Sequence, residues 1–354
     1  MKNLGLSSDA IRMLDADIEW VTLFRQGQLQ EAYTLLYRVG LLPEMMSYIR
    51  ANPHEPVDLP LSQLQYMIAW IARDSGLTGV RVPLDATGLR IAVVGGGPTG
   101  LAAAVRLLEQ GHTVDLYERE QQLGGAPALV YCEDRLPDPT DEINALLTPA
   151  IQARRLTVAL GRDVSSDMLM ERYDAVLLAT GCWNEPSLGS AAGVWPALRF
   201  LKAVRSGQCT HVPDKVTLLC GGDAAMDAAV AAKTLGAKRL ILLFDCSREK
   251  AHWHLPDSWF DTEGVEVRYE VHPVGYRTSD NGAVSGVQLE EDETVETEMV
   301  IEAMGLYADK VNTQVDGLFV AGALVNGGSS VRQCVQEGFD AAEEIDRFLK
   351  GKAA

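Results

Sequence analysis

The sequence predicts an α/β fold in which one strand–helix–strand unit is nested inside another, behind a helical N-terminal domain. Three observations carry that expectation. First, an apolar, β-branched run, Leu89-Arg90-Ile91-Ala92-Val93-Val94, opens into the turn Gly95-Gly96-Gly97-Pro98-Thr99-Gly100 and then a stretch rich in Ala and Leu. Second, the cycle restarts at Lys215-Val216-Thr217-Leu218-Leu219, with the turn Cys220-Gly221-Gly222-Asp223-Ala224-Ala225-Met226-Asp227 and an Ala-rich run to Leu235. Third, Gly317-Leu318-Phe319-Val320-Ala321-Gly322 returns to the pattern of a buried parallel strand near the C-terminus. Alternation of strand and helix signals builds parallel sheets, because parallel strands need a crossover between them.

The elements follow in order. Residues 1 to about 80 read as helical, with apolar positions three and four apart in 18–25 and 31–37, Gly27 as a break between them, and another amphipathic run at 61–72. Residues 51–60 hold three prolines and read as a connector, and 76–88 as a Gly/Pro-punctuated linker. Past the first turn, Thr113-Val114-Asp115-Leu116-Tyr117 is a strand ending in Glu118, and Tyr173 to Leu178 is a buried strand emptying into Ala179-Thr180-Gly181. Arg239 to Phe244 is the second strand of the inserted unit, residues 265–303 alternate like a meander, and a closing helix runs from about Val331 to Leu349. The expected domains are 1–80, then 89–185 with 305–354, and the insertion at 190–304.

Strand, G-x-G-x-x-G, helix, strand and acidic residue in that order form the dinucleotide fingerprint of a Rossmann-like unit. Gly95 permits the tight turn, Gly97 lets backbone approach a pyrophosphate, and Gly100 lets helix and strand pack closely. Pro98 sits where the helix begins, and free N–H groups there face the phosphates. Glu118 is placed to accept hydrogen bonds from a ribose diol, with Arg119 beside it.

Composition excludes several classes. With 31 Lys and Arg against 49 Asp and Glu the net charge is −18, which opposes nucleic-acid binding. No apolar run approaches the roughly 20 residues of a membrane helix, and no signal-peptide core follows Met1, so a cytoplasmic protein without a membrane partner is expected. The six cysteines form no C-x-x-C pair and read as small buried hydrophobes. His252-Trp253-His254 has no third ligand at recognisable spacing and reads as loop surface, so no metal site is expected. No Ser-His-Asp arrangement or carboxylate pair supports hydrolysis.

Nearly the whole chain resembles the small (β) subunit of glutamate synthase and its relatives, FAD-dependent NAD(P)H oxidoreductases. The resemblance rests on the turn at 95–104, Glu118 with Leu123-Gly124-Gly125, Arg135-Leu136-Pro137, Ala179-Thr180-Gly181, the turn at 221–227, 317–322 and Glu337-Gly338-Phe339-Asp340-Ala341-Ala342. Trp20, Gly27, Glu31-Ala32 and Leu42-Pro43-Glu44 extend it to the N-terminus. It implies a three-layer FAD/NAD(P) fold of two nested domains. Gly95, Gly97 and Gly100 would face the FAD pyrophosphate, Glu118 the adenosine ribose, Gly125, Thr180 and Gly181 the cofactor's flank, and Gly322, Ala323 and the helix from Val331 the ribityl chain and flavin ring. Gly221, Gly222, Asp223 and Ala224 would hold the nicotinamide dinucleotide.

Four departures qualify this. The family's N-terminal domain carries cysteines for two iron–sulfur clusters, yet the first cysteine here is Cys132, so no cluster is expected. Cys220 replaces the first glycine of the second turn, where a Cβ is expected to cost strain. Where NADP-using relatives place arginines, this chain has Phe244-Asp245-Cys246; Asp245 suits the free ribose of NADH, with Arg248 still near for a phosphate. Ala323 stands where the family has an aspartate for the ribityl chain. Two readings stay open on these residues: an oxidoreductase passing electrons from NAD(P)H through FAD to an acceptor or partner subunit, or a non-catalytic, FAD- or nucleotide-binding structural subunit of a larger redox assembly. Hydride transfer between nicotinamide and flavin requires no side-chain acid or base, so no catalytic residue is assigned.

Overall fold

A computed structural model describes residues 19–50, 61–130, 138–221, 223–251, 257–261, 264–290, 292–308 and 315–353. Cys132, the 135–137 motif, Gly222 and His252-Trp253-His254 lie outside them.

The first sheet grows from the first fingerprint. Strand β1 (Arg90–Val94) is buried in all but its first residue and leads through the glycine turn into α5 (Pro98–Glu109). Pro98 stands in the first helical turn, where the missing N–H has no intrahelical partner to lose. Next come β2 (Thr113–Tyr117), α6 (Gly125–Val130), α7 (Thr140–Gln152), β3 (Leu156–Ala159), α8 (Ser166–Met170) and β4 (Ala175–Leu178). After the insertion the chain returns as β13 (Leu318–Val320), α12 (Ala323–Asn326) and α13 (Val331–Ala353). The strand order is β13-β4-β1-β2-β3, parallel throughout. Helix α13 lies against α5 at Gly338, where a Cβ would fall on the Thr99 carbonyl oxygen and within 2.9 Å of the Ala102 Cβ.

The insertion supplies β5 (Val194–Pro196), α9 (Ala197–Arg205), β6 (Lys215–Cys220), α10 (Asp223–Thr234), β7 (Arg239–Phe244), α11 (Asp257–Phe260), β8 (Val265–Arg268), β9 (Pro273–Thr278), β10 (Val284–Leu289), β11 (Thr294–Glu296) and β12 (Met299–Ala303). A second parallel sheet runs β5-β12-β6-β7-β8, and β11-β10-β9 form a separate antiparallel sheet. The meander expected over 265–303 is therefore confined to its middle. Its two ends join the parallel sheet: β8 pairs with β7, and β12 enters between β5 and β6. Alternation cannot reveal this, since a four- or five-residue strand looks the same in either sheet. Glu302 of β12 fastens the two sheets, accepting the Tyr276 hydroxyl at 2.5 Å and the Leu188 N–H at 2.8 Å.

The expectation of a strained Cys220 is corrected. Cys220 is the last residue of β6, paired with Phe244 and Ala303, and its φ is not positive. Its side chain is buried in the core of the second sheet, and burial pushes its thiol pKa up. Strand backbone accepts any L-residue, so a Cβ costs no strain there. Cys220→Gly is expected to lower stability by about 2 kcal/mol, from lost burial and added chain freedom. Denaturant unfolding checks this; a variant at least as stable as the parent contradicts it.

Before the sheets lie helical residues 19–25 (α1), then α2 (Leu29–Gly40), α3 (Pro43–Arg50) and α4 (Leu61–Asp74). Trp20, Tyr33, Leu36, Ile68 and Ala72 form their own apolar core. Leu41, Leu42 and Met45 instead belong to the core of the first sheet, so the helices are packed onto that sheet rather than tethered to it. Buried Glu142 of α7 locks the junction, accepting the N–H groups of Glu44 at 2.7 Å and Met45 at 2.8 Å. These are first-turn donors of α3, which have no partner within their own helix.

Candidate dinucleotide-binding site

A cavity of about 720 Å³ opens where the C-terminal ends of the two parallel sheets face each other. It lies at the point where strand order reverses around β1, with β2 on one side and β4 on the other, the crevice in which open α/β sheets bind ligands. From the first sheet come Gly95, Gly97, Pro98, Glu118, Arg119, Gly125, Thr180 and Gly181; from the second, Gly221 and Ala224. Ala323, at the start of α12, and Val331, the first residue of α13, close the far side.

The glycines divide by cause. Gly95 has φ +110, and a Cβ there would strike the Ala179 carbonyl; a Cβ on Gly100 would strike the Gly95 carbonyl. Gly322 is required by Thr99, whose hydroxyl would meet its Cβ. Those three are demanded by the protein's own packing, and neither Gly100 nor Gly322 lines the cavity. Gly97 differs. Its φ is −80, a Cβ would meet nothing nearer than the Gly125 Cα at 3.5 Å, and it faces the cavity at the N-cap of α5. Neither backbone conformation nor a Cβ clash calls for glycine there, whereas the close approach of a ligand's diphosphate to this turn would.

Glu118 follows β2, its carboxylate accepting Gly96 N–H at 2.7 Å and Glu120 N–H at 2.8 Å. Each carboxylate oxygen keeps a second lone pair for a ligand hydroxyl. The turn, the helix N-terminus and this oriented carboxylate fit the ribose and diphosphate of a dinucleotide. Asp245 and Arg248 are exposed beyond the end of β7 and do not line the cavity. Asp223 begins α10.

The structure also brings in residues not singled out from the sequence. Cys182, Trp183 and Glu185 line the cavity just past the Thr180-Gly181 turn. Glu185 accepts the Leu198 N–H at 2.9 Å in the first turn of α9, and burial pushes its pKa up. Helix α6, though supplied by the first unit, carries Val130 into the core of the second sheet and lines the cavity. Proximity of Trp183 to the turn is the signal that sequence offers for these residues.

Residues 89–326 match the model of the family described as pyridine nucleotide-disulphide oxidoreductase. The chain belongs to that family. The resemblance to glutamate synthase small chains holds as well: this oxidoreductase is 28% identical to the glutamate synthase [NADPH] small chain of Azospirillum brasilense, over 95% of its own length and 84% of the relative's. It is also 28% identical to the NADP(+)-dependent formate dehydrogenase subunit beta of Moorella thermoacetica, over 75% of its length and 44% of that protein's. Among solved structures, Mycobacterium tuberculosis FprA in complex with NADPH superposes with a TM-score of 0.61 at 15% identity, covering 75% of this chain and 85% of that one. Lactococcus lactis thioredoxin reductase gives 0.56 at 15% identity, covering 74% and 99%. These two show the fold, with the expected pair of Rossmann-like units. The expected class, an FAD-dependent oxidoreductase, is met by the family. Cys182 and Cys334 line the cavity outside any disulfide, Cys182 donating its thiol to the Tyr307 carbonyl at 2.9 Å, and among the described residues no cluster of His, Cys, Asp and Glu is arranged to hold a metal ion. No helix among them is long and apolar enough to cross a membrane.

Proposed function

We propose that this oxidoreductase holds FAD in the cavity, prefers NADH over NADPH as donor, and delivers electrons to a partner subunit or a directly docked acceptor without an iron–sulfur cluster. The observation that carries the FAD assignment is Gly97, which faces the cavity at the start of α5 where neither a positive φ nor a Cβ clash calls for glycine. Bound there, FAD supplies the redox centre that takes two electrons from a reduced nicotinamide and passes them on. The chain's own work is to bind and orient. The α5 N-terminus and Gly97 would receive the pyrophosphate, Glu118 the adenosine ribose, Gly125, Thr180 and Gly181 the flank, and Ala323 and Val331 the ribityl and ring end. Gly221 and Asp223 would serve the nicotinamide dinucleotide, within an inserted domain at 190–304.

Asp245 supports the NADH preference. A carboxylate within ~4 Å of a 2′-phosphate repels it by about 1 kcal/mol even in bulk water, several-fold in affinity. Residues 1–131 contain no cysteine, and thiolates are what hold iron–sulfur clusters; the described N-terminal helices fill their interior with Trp20, Tyr33, Leu36 and Ile68 instead. A partner subunit is supported by relatives named as chains of multi-subunit enzymes. The second reading, a non-catalytic subunit that keeps the fold, is favoured by Ala323, which puts a methyl in the cavity wall in place of the expected carboxylate.

The test is a visible spectrum and an iron assay of the purified protein, then anaerobic mixing with each nucleotide. Flavin bands near about 375 and 450 nm, properties of the ring itself, are expected without iron. NADH is expected to bleach them several-fold faster than NADPH, and Asp245→Arg to narrow or invert that ratio. Colourless protein that takes up no added FAD overturns the assignment. Bound flavin that neither nucleotide reduces supports the non-catalytic reading.

A further inference from the structure

Strands β2 and β4 flank β1, so a contact between the segments leaving them must span the glycine turn. Such a contact exists. Arg119, directly after Glu118, places its guanidinium carbon 5.2 Å from the centroid of the Trp183 ring. That is within the range where a cation is held by the face of an aromatic ring. Both residues line the cavity. The indole is fixed from below by its Nε1–H, which donates to the Thr180 carbonyl at 3.1 Å. Gly181, with φ +75, folds the chain back under it, and a Cβ there would touch Nε1 at 3.4 Å. On the other side, Arg119 Nε lies 3.8 Å from Glu120 Oε1, which also takes Lys202 Nζ of α9 at 2.6 Å. A line of contacts, Lys202–Glu120–Arg119–Trp183, thus runs from the inserted unit across the exits of β2 and β4.

We propose that the Arg119–Trp183 stack is a clasp over the ribose–diphosphate end of the bound dinucleotide, retaining it by slowing release. This rests on the FAD reading for its natural ligand, and on geometry for its place. Glu118, adjacent in sequence, faces the cavity where a ribose diol is recognised, and Gly97 lies at the turn that the clasp spans. The guanidinium is half exposed, so it keeps N–H donors and charge available to a diphosphate while the indole holds its position. A ligand leaving that end must part the stack, so loss of either member acts on the rate of dissociation more than on association. Trp183 and Arg119 are positioning residues here, acting on retention of the dinucleotide and not on a reacting atom.

The experiment follows FAD release from the loaded protein by the rise in flavin fluorescence, in native protein, Trp183→Ala, Trp183→Phe, Arg119→Ala and the double alanine variant. Each alanine variant is expected to release FAD about tenfold faster, equivalent to about 1.4 kcal/mol. Trp183→Phe keeps an aromatic face and should stay within about threefold of native. The double variant should be no faster than the faster single one, because both remove the same contact. Native release rates in both single variants, or effects that multiply in the double variant, overturn the proposal. ADP, which carries the ribose and diphosphate without a flavin, is the second probe, measured calorimetrically on protein stripped of cofactor. Both alanine variants should bind it about tenfold more weakly; native affinity in both overturns the clasp whether or not FAD binds. Protein that binds ADP with the expected weakening but never FAD refutes the FAD reading and leaves the clasp standing. Unchanged melting temperatures of the stripped variants separate this role from a merely structural one.

Discussion

Gly97→Glu is expected to leave the fold intact and to abolish flavin binding. The backbone at Gly97 has φ −80 and ψ −175, which any L-residue adopts, and a new Cβ meets nothing nearer than 3.5 Å. Stability should therefore stay within ~0.5 kcal/mol, as for a substitution away from packed features. The side chain enters the cavity at the α5 N-terminus and brings a negative charge to the site of the diphosphate. It fills the space a ligand backbone needs and offsets the attraction of the helix end for an anion. A loss of at least about 2.7 kcal/mol, a hundredfold in affinity, is expected. Visible absorbance after purification with excess FAD, beside a thermal melt, reads both halves. Native-like bands would show that the pyrophosphate does not lie at this turn. Gly100→Val makes the contrast: its Cβ strikes the Gly95 carbonyl, so that variant should lose the fold along with the flavin.

Glu142→Ala is expected to be the most destabilising single change at the junction of the helices and the first sheet. It strands the Glu44 and Met45 N–H groups at the start of α3. Each buried donor left without a partner costs about 1–3 kcal/mol, so a loss of roughly 2–6 kcal/mol follows. Glu142→Gln keeps one accepting oxygen and should lose about half as much. Burial raises the Glu142 pKa from 4.5 to about 8, against the lowering pull of the two N–H groups and Arg73, with Glu44 adding to the rise. The sign follows from protons bound: between these values the folded chain holds a proton that the unfolded chain has released. Stability from this group is complete below about pH 4.5 and is lost as pH rises through about 8. Denaturant unfolding at pH 5 and pH 8 should show native protein losing more stability across that interval than Glu142→Gln. An equal loss in both would assign the pH dependence to other groups.

The residues that depend on near neighbours are legible in the sequence. Strands at Thr113–Tyr117 and Arg239–Phe244 occupy the residues their apolar runs predict. The break at Gly27 and the start of α13 at Val331 do so as well. The fingerprint is legible for the same reason: turn, cap and helix lie within a few residues, so residue type alone sets the local backbone. Three-dimensional packing decided the rest. Cys220 looks like a turn residue beside two glycines, yet sheet pairing extends β6 through it and buries its side chain. The pattern of β12 resembles that of the antiparallel strands before it, but pairing with β5 and β6 places it inside the parallel sheet. Glu142 reads as an ordinary helix carboxylate until α3 meets it from 98 positions away. Trp183 meets Arg119 only because β1 lies between the strands that deliver them. In sequence, hydrophobic periodicity says which face of a segment is buried; which distant segment covers it is chosen by shape and hydrogen-bond demand when the sheets assemble.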